Sequence, residues 1–114
     1  MNSILNDIKK ILCISDDVTS FDEDIILIIN AVLNTVTDLG VGPQTGYIIT
    51  DAQNTWDELL NDDVLLEKVK LYVGLKTRLL FDPPANNSMQ KVIEEELQEL
   101  EWRISSMSYK KNEE

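Results

Sequence analysis

The sequence contains no histidine and only one cysteine among its 114 residues, and these absences exclude most familiar catalytic sites. Histidine is the commonest general base, the usual partner of a nucleophilic serine or cysteine, and a major zinc ligand. Because Cys13 stands alone, no internal disulfide can form, which favours a reducing compartment. We expect Cys13 to be a small buried side chain between Leu12 and Ile14. The sequence indicates no enzyme, and we expect no catalytic residue, no cofactor and no metal ion.

Glycine and proline are scarce, with four and three residues, and no apolar run approaches the ~20 residues of a membrane-spanning helix. No glycine is followed by the Lys-Ser or Lys-Thr pair of a phosphate-binding loop. The first residues reach Asp7, Lys9 and Lys10 without the apolar core of a secretory signal. We therefore expect a soluble protein that is made in the cytosol and does not bind membranes.

Positive charge is also scarce, because ten Lys and Arg residues face 21 Asp and Glu residues, for a net charge of −11. Proteins that bind nucleic-acid backbones carry a basic patch, so this balance disfavours such a function. Residues 64–81 are the exception, since they hold one acid, Glu67, and four basic residues: Lys68, Lys70, Lys76 and Arg78. Pairing of these four with the protein's own acidic helices is favoured over contact with DNA or an acidic neighbour.

The sequence is rich in apolar residues at helical spacing. This spacing predicts helices over residues 4–12, 21–39, 55–60, 64–81 and 87–107. The predicted fold class is all-α, a small helical bundle of about four to five helices with a short extended or hairpin loop between helices two and three. We expect a single helical domain over residues 1–108 and a mobile C-terminal tail over residues 109–114.

Several residues predict where the helices begin and end. Ser20 and Glu23 form a possible capping box for helix two, Thr55 and Glu58 another for the short third helix, and Asn87 or Ser88 can cap the last one. Acidic clusters at residues 22–24 and 62–63 also stand at predicted helix starts, which favours amide capping over a metal site. Gly40 is placed to end helix two, and Pro83 with Pro84 ends helix four. Gly74 predicts a close approach of helix two to helix four.

The order of these features resembles the head-tail connector proteins of tailed bacteriophages. The resemblance rests on residues 71–84, which include Tyr-Val-Gly-Leu-Lys and Phe-Asp-Pro-Pro, followed by a Glu-rich helix that reaches residues 99–104. The turn at residues 19–22, the long helix at 24–39 and the Thr-Trp-Asp-Glu-Leu turn at 55–59 occur in the same order as in that family. The resemblance therefore covers nearly the whole chain.

The resemblance implies a non-enzymatic structural subunit of a homo-oligomeric ring, a dodecamer in the virion, beneath the portal protein. Such a ring extends the DNA channel, passes DNA without sequence-specific binding, and presents a surface to the next head-completion or tail protein. The expected location is the head-tail junction of the virion, after synthesis in the cytoplasm of the bacterial host.

Two groups of residues are candidates for contacts in this assembly. Subunit contacts are predicted for Tyr47, Ile48, Ile49 and Trp56, because apolar residues in a turn-rich segment often mark an interface. Portal docking is predicted for Trp102, Tyr109, Lys110 and Lys111, because an amphipathic helix with a basic end can bind a groove or an acidic rim. Burial of Trp56 or Trp102 in the subunit core is an alternative role for either tryptophan.

Two other classes of protein are alternatives to this interpretation. An acidic regulatory protein that mimics DNA and occupies a nucleic-acid-binding partner would also use strong negative charge, and competition with DNA would reveal it. A small helical enzyme would need an assembled catalytic set, which the sequence does not offer.

Overall fold

The computed structural model describes residues 3–113, with side chains placed for residues 3–109. The described residues form five helices, which are α1 (Ile4–Ile11), α2 (Asp22–Asp38), α3 (Trp56–Leu59), α4 (Asp63–Phe81) and α5 (Asn87–Glu113). No β-strand occurs among the described residues, and one isolated bridge joins Ser3 to Thr55. The prediction of an all-α bundle is confirmed.

Short polar side chains fix where most of the helices begin. Ser3 accepts a hydrogen bond from the amide of Asn6 at 3.2 Å, and Asp62 accepts one from the amide of Leu65 at 3.1 Å. The predicted capping box of α3 is present, because the side chains of Thr55 and Glu58 each bond the other residue's amide. These bonds satisfy amide groups that the first helical turn leaves without a partner.

The predicted caps of α2 and α5 are wrong. The residue before α2 is Phe21, which makes no side-chain capping bond, so Ser20 and Glu23 form no capping box. The acids at residues 22–24 instead place negative charge against the positive end of the helix dipole. Helix α5 begins one residue earlier than its predicted cap allows, because the Asn86 side chain accepts hydrogen bonds from the amides of Ser88 and Met89.

Helix α4 lies at the centre of the bundle and packs against α5, α2 and α1. Phe21, just before α2, stacks edge-on against Phe81 at the end of α4, with ring centroids 6.0 Å apart, so α2 and α4 run antiparallel. The short connection at residues 82–86 likewise makes α5 antiparallel to α4. The largest fully buried side chains include Trp56, Tyr72, Ile25, Ile29 and Leu33.

Gly74 allows close packing in α4, but the neighbour is α1 and not helix two as predicted. A Cβ atom at Gly74 would lie 2.5 Å from Cδ1 of Ile11, the last residue of α1. The absence of a side chain therefore lets the end of α1 rest directly on α4. Gly40 ends α2 as predicted, with a φ of +95° that glycine adopts without strain.

Two residues near the end of α1 differ from their predicted environments. Cys13 is exposed and not buried as predicted, and its φ of +61° lies in the left-handed region that non-glycine residues rarely adopt. Lys9 is 1% exposed, although a lysine is expected on the outer face of an amphipathic helix. Its ammonium group lies 2.9 Å from a carboxylate oxygen of Asp22 and donates to the carbonyl oxygens of Val18 and Asp16. This one cation joins α1, the following loop and the start of α2.

Helix α5 continues to Glu113, and its 27 residues correspond to roughly 40 Å, close to the longest dimension of 43 Å. The side chains of Lys110 and Lys111 lie outside the described residues. The division into a domain of residues 1–108 and a mobile tail of residues 109–114 stays a prediction.

Candidate assembly surfaces

The loop between α2 and α3 is extended and is held against α2 by one side chain. Asn30 of α2 accepts a hydrogen bond from the amide of Ile49 at 2.8 Å and donates one to the carbonyl of Ile49 at 3.0 Å. These two bonds imitate one step of a strand pair, which explains why the loop is extended without belonging to a sheet. They also direct the Ile49 side chain into the core, where it is 1% exposed.

Trp56 is part of the subunit core. Its ring is fully buried, its indole Nε1 donates to Asp7 of α1 at 2.8 Å, and the ammonium of Lys70 lies 5.8 Å from the ring centroid. The Asp7 bond satisfies the one polar atom of the indole, as a buried tryptophan requires. Trp56 therefore links α3 to α1 and α4. Of the two roles considered for it, burial in the subunit core is the one that the structure shows.

Ile48 and Tyr47 face the surface to different extents. Ile48 is 62% exposed, whereas Tyr47 is half-buried and its hydroxyl donates to Glu58 at 2.7 Å. Partial burial, together with the Glu58 carboxylate, raises the pKa of Tyr47 to about 12. The hydrogen bond from Tyr47, with those from the Thr55 amide and Asn54, lowers the pKa of Glu58. Of the four residues predicted at a subunit contact, Ile48 alone is well exposed.

The outer face of α5 carries two exposed aromatic side chains. Trp102 is 71% exposed and Tyr109 is 66% exposed. They are seven residues apart, which is two helical turns, so both lie on the face opposite the buried Ile104 and Leu97. Portal docking through Trp102, Tyr109, Lys110 and Lys111 stays a prediction, and the structure brings its two aromatic members onto one surface.

The basic residues of α4 do not form one cluster. Lys70 lies 3.9 Å from Glu67 one turn earlier, and Lys76 shares a groove between α4 and α5 with Glu94 and Glu101. Glu101 accepts a hydrogen bond from the buried Tyr72 hydroxyl at 2.8 Å, and desolvation of that phenol raises its pKa. Of the other two basic residues, Lys68 is half-buried and Arg78 is exposed.

The buried ion pair of Lys9 and Asp22 is the polar feature that sequence reasoning missed. A signal was present, because Lys9 stands four residues after Leu5 and three before Leu12, on the apolar face of α1.

No group of three or more potential metal ligands occurs within the described part of the chain. No described helix is long and apolar enough to cross a membrane.

The fold and its surfaces define a small all-helical protein with exposed aliphatic and aromatic side chains on several helices. A family model described as phage connector protein matches residues 4–111. The chain therefore belongs to this family of head-tail connectors, which are structural proteins of bacteriophage particles. No curated protein and no solved structure matches the chain.

Proposed function

We propose that this protein is one subunit of a homo-oligomeric ring, a dodecamer in the virion, that binds beneath the portal protein. The ring extends the DNA channel and provides the surface on which the next head-completion or tail protein assembles. The observation that supports this proposal is the family match, which covers all five helices except the last residues of α5.

The acidic composition supports a channel through which DNA moves without being held. The net charge of −11 repels the phosphate backbone, so that a ring of such subunits would offer DNA no strong binding site. The same charge keeps free subunits apart at low ionic strength. Assembly would then depend on the portal, which collects the subunits at one place.

The outer face of α5 is the proposed portal-docking surface. Trp102 and Tyr109 provide large apolar contacts, and aromatic side chains contribute strongly to protein interfaces. Lys110 and Lys111 follow them in sequence and add positive charge for an acidic rim. In an otherwise acidic protein, this combination distinguishes the end of α5 from the rest of the surface.

Mixing the protein with its portal and imaging the product by electron microscopy tests the proposal. The expected result is an added collar at the narrow end of the portal ring. Replacing both Trp102 and Tyr109 with Ala should abolish the collar and leave the circular dichroism spectrum unchanged. Replacing Met89 and Val92 with Ala is the matched control, because these side chains are 53% and 59% exposed on the same helix.

Two results would contradict the proposal. The first is an unmodified protein that adds no density to the portal under any salt condition. The second is competition with DNA for a DNA-binding protein, which would favour the acidic-mimic class instead.

A further inference from the structure

Helix α2 carries a straight exposed stripe on the side away from the core. The stripe consists of Asp24, Leu27, Ala31, Asn34 and Asp38, all exposed and spaced alternately by three and four residues. Leu27 is 72% exposed, more than any other large apolar side chain of the described residues. Ile48 extends this surface, because it lines a groove together with Asn34. We call these six residues the α2 surface.

Helix α4 carries a second stripe with the same spacing. It consists of Val64, Lys68, Leu71, Leu75 and Arg78, which we call the α4 surface; Lys68 and Leu75 are half-buried and the other three are exposed. Val64 is 63% exposed and Leu71 is 47% exposed. Glu67 lies at its edge and is 3.9 Å from Lys70. Both stripes have an apolar centre, and at the helical rise each spans roughly 21 Å.

The two surfaces are complementary in charge. The α2 surface has an acid at each end. Residues 11–67, which include the whole of α2, contain no lysine or arginine. The α4 surface has Arg78 at one end and Lys68 one helical turn in from the other end. In an antiparallel arrangement Asp24 would lie opposite Arg78 and Ala31 opposite Leu71. Lys68 would lie opposite Asn34, one turn from Asp38. Opposite charges near the ends of the two stripes set both the partner and the register.

The two surfaces also lie on different sides of the subunit. Helices α2 and α4 pack against each other, and Ile29 of α2 and Val73 of α4 are fully buried. Each of these residues stands two positions from the centre of its stripe, so the stripe lies on the opposite face of the helix. One subunit therefore cannot pair its own two surfaces. Two different complementary surfaces on one chain produce a head-to-tail contact, which closes into a ring when the rotation allows it.

We propose that the α2 surface of one subunit binds the α4 surface of the next, and that this repeated contact builds the ring. The inference rests on the proposed function and adds to it the two faces of the contact and its head-to-tail polarity. Ile48 then contributes to a subunit contact from the edge of the α2 surface, whereas Ile49 and Trp56 stabilise the fold behind it.

Charge reversal on each surface tests the contact. One variant carries Lys68→Glu with Arg78→Glu, and the other carries Asp24→Lys with Asp38→Lys. Each variant alone places like charges across every contact, and the yield of portal-bound collars should fall about tenfold or more. An equal mixture should restore the yield, because alternating subunits again place opposite charges together. The control is Lys10→Glu with Lys91→Glu, which changes the net charge as the first variant does but outside both stripes.

The results separate this inference from the proposed function. Normal collars from either variant alone, or no rescue in the mixture, would overturn the contact while the connector function stands. An unmodified protein that forms no collar would instead overturn the function.

A disulfide experiment on portal-bound collars tests the contact directly. The collars are assembled from Ala31→Cys copies, from Leu71→Cys copies or from a mixture of the two, each copy with Cys13→Ser. Cross-linking is expected only in the mixture. Cross-linking within one kind of copy, or none in the mixture, counts against the head-to-tail contact.

Discussion

The two tryptophans occupy opposite environments, although the sequence offers both as candidates for contacts with other proteins of the assembly. Trp56 is fully buried and bonded to Asp7, whereas Trp102 is 71% exposed on α5. The difference follows from their neighbours. Trp56 stands at the start of a one-turn helix, where α1 and α4 both pack against it, whereas Trp102 lies on the face of a long helix that points away from its neighbours. One residue stabilises the subunit, and the other is available to a partner.

Replacing each tryptophan with Ala gives the largest expected contrast. Trp56→Ala should lower the free energy of unfolding by about 4 kcal/mol, because it removes a buried ring and leaves a cavity. Trp102→Ala should change it by less than about 0.5 kcal/mol, because the side chain is exposed. Urea denaturation followed by circular dichroism measures both. Similar losses for the two variants would show that Trp102 also stabilises the fold.

The neighbouring residues Ile48 and Ile49 repeat this comparison within two positions. Ile49→Ser should destabilise the protein by about 3 kcal/mol, since a hydroxyl replaces a core side chain. Ile48→Ser should leave stability nearly unchanged and reduce collar formation on the portal. Thermal unfolding and portal-binding assays on the same two samples distinguish these effects. Equal destabilisation by both changes would place Ile48 in the core as well.

Lys9 and Lys10 form a third pair, one buried and one exposed. Lys9→Met should cost about 2 kcal/mol, because it leaves the carboxylate of Asp22 and the carbonyl of Val18 without their cation. The cost is moderated because the Asp22 side chain is 24% exposed to water. Lys10→Met should have no measurable effect on the denaturation midpoint. If the Lys9 variant proves as stable as the unmodified protein, the ion pair contributes only to specificity.

The smallest effect is expected from the half-buried Tyr47. Its pKa is raised from 10.0 to about 12, so the folded state retains the phenol proton where the unfolded chain releases it. The corresponding stability is complete below pH 10 and is lost as the pH rises towards 12. Tyr47→Phe should therefore make the melting temperature fall less steeply over this range. Tyr109→Phe is the control, because that phenol is exposed.

The helices were predictable from the sequence because an apolar side recurs along each of them. The firm stops at Gly40 and at Pro83 with Pro84 were predictable for the same local reasons. The capping of α2 was not, because three acids suffice to stabilise its start without a side-chain cap. The sequence predicts a helix end well when one residue type, such as proline or glycine, alone determines where the helix stops.

The environment of single residues was harder to predict because it depends on contacts between distant parts of the chain. Asn30 and Ile49 are 19 positions apart, and their two hydrogen bonds decide which side of the loop faces the core. Trp56 and Asp7 are 49 positions apart. Neither pair has a local signature in the sequence. The buried Ile49 and Trp56 therefore could not be distinguished from the exposed Ile48 as candidates for the subunit contact.

The absence of lysine and arginine from residues 11–67 has a practical consequence for work on whole phage particles. Trypsin has no cleavage site there, and amine-directed cross-linkers have no lysine to modify, so neither reagent acts on α2, the extended loop or α3. Lysine chemistry would thus label α1, α4 and α5, whereas carbodiimide coupling of carboxylates would also label α2, the extended loop and α3. Applied to intact and dissociated particles in turn, carbodiimide coupling would therefore report on the segment that lysine chemistry leaves unmodified.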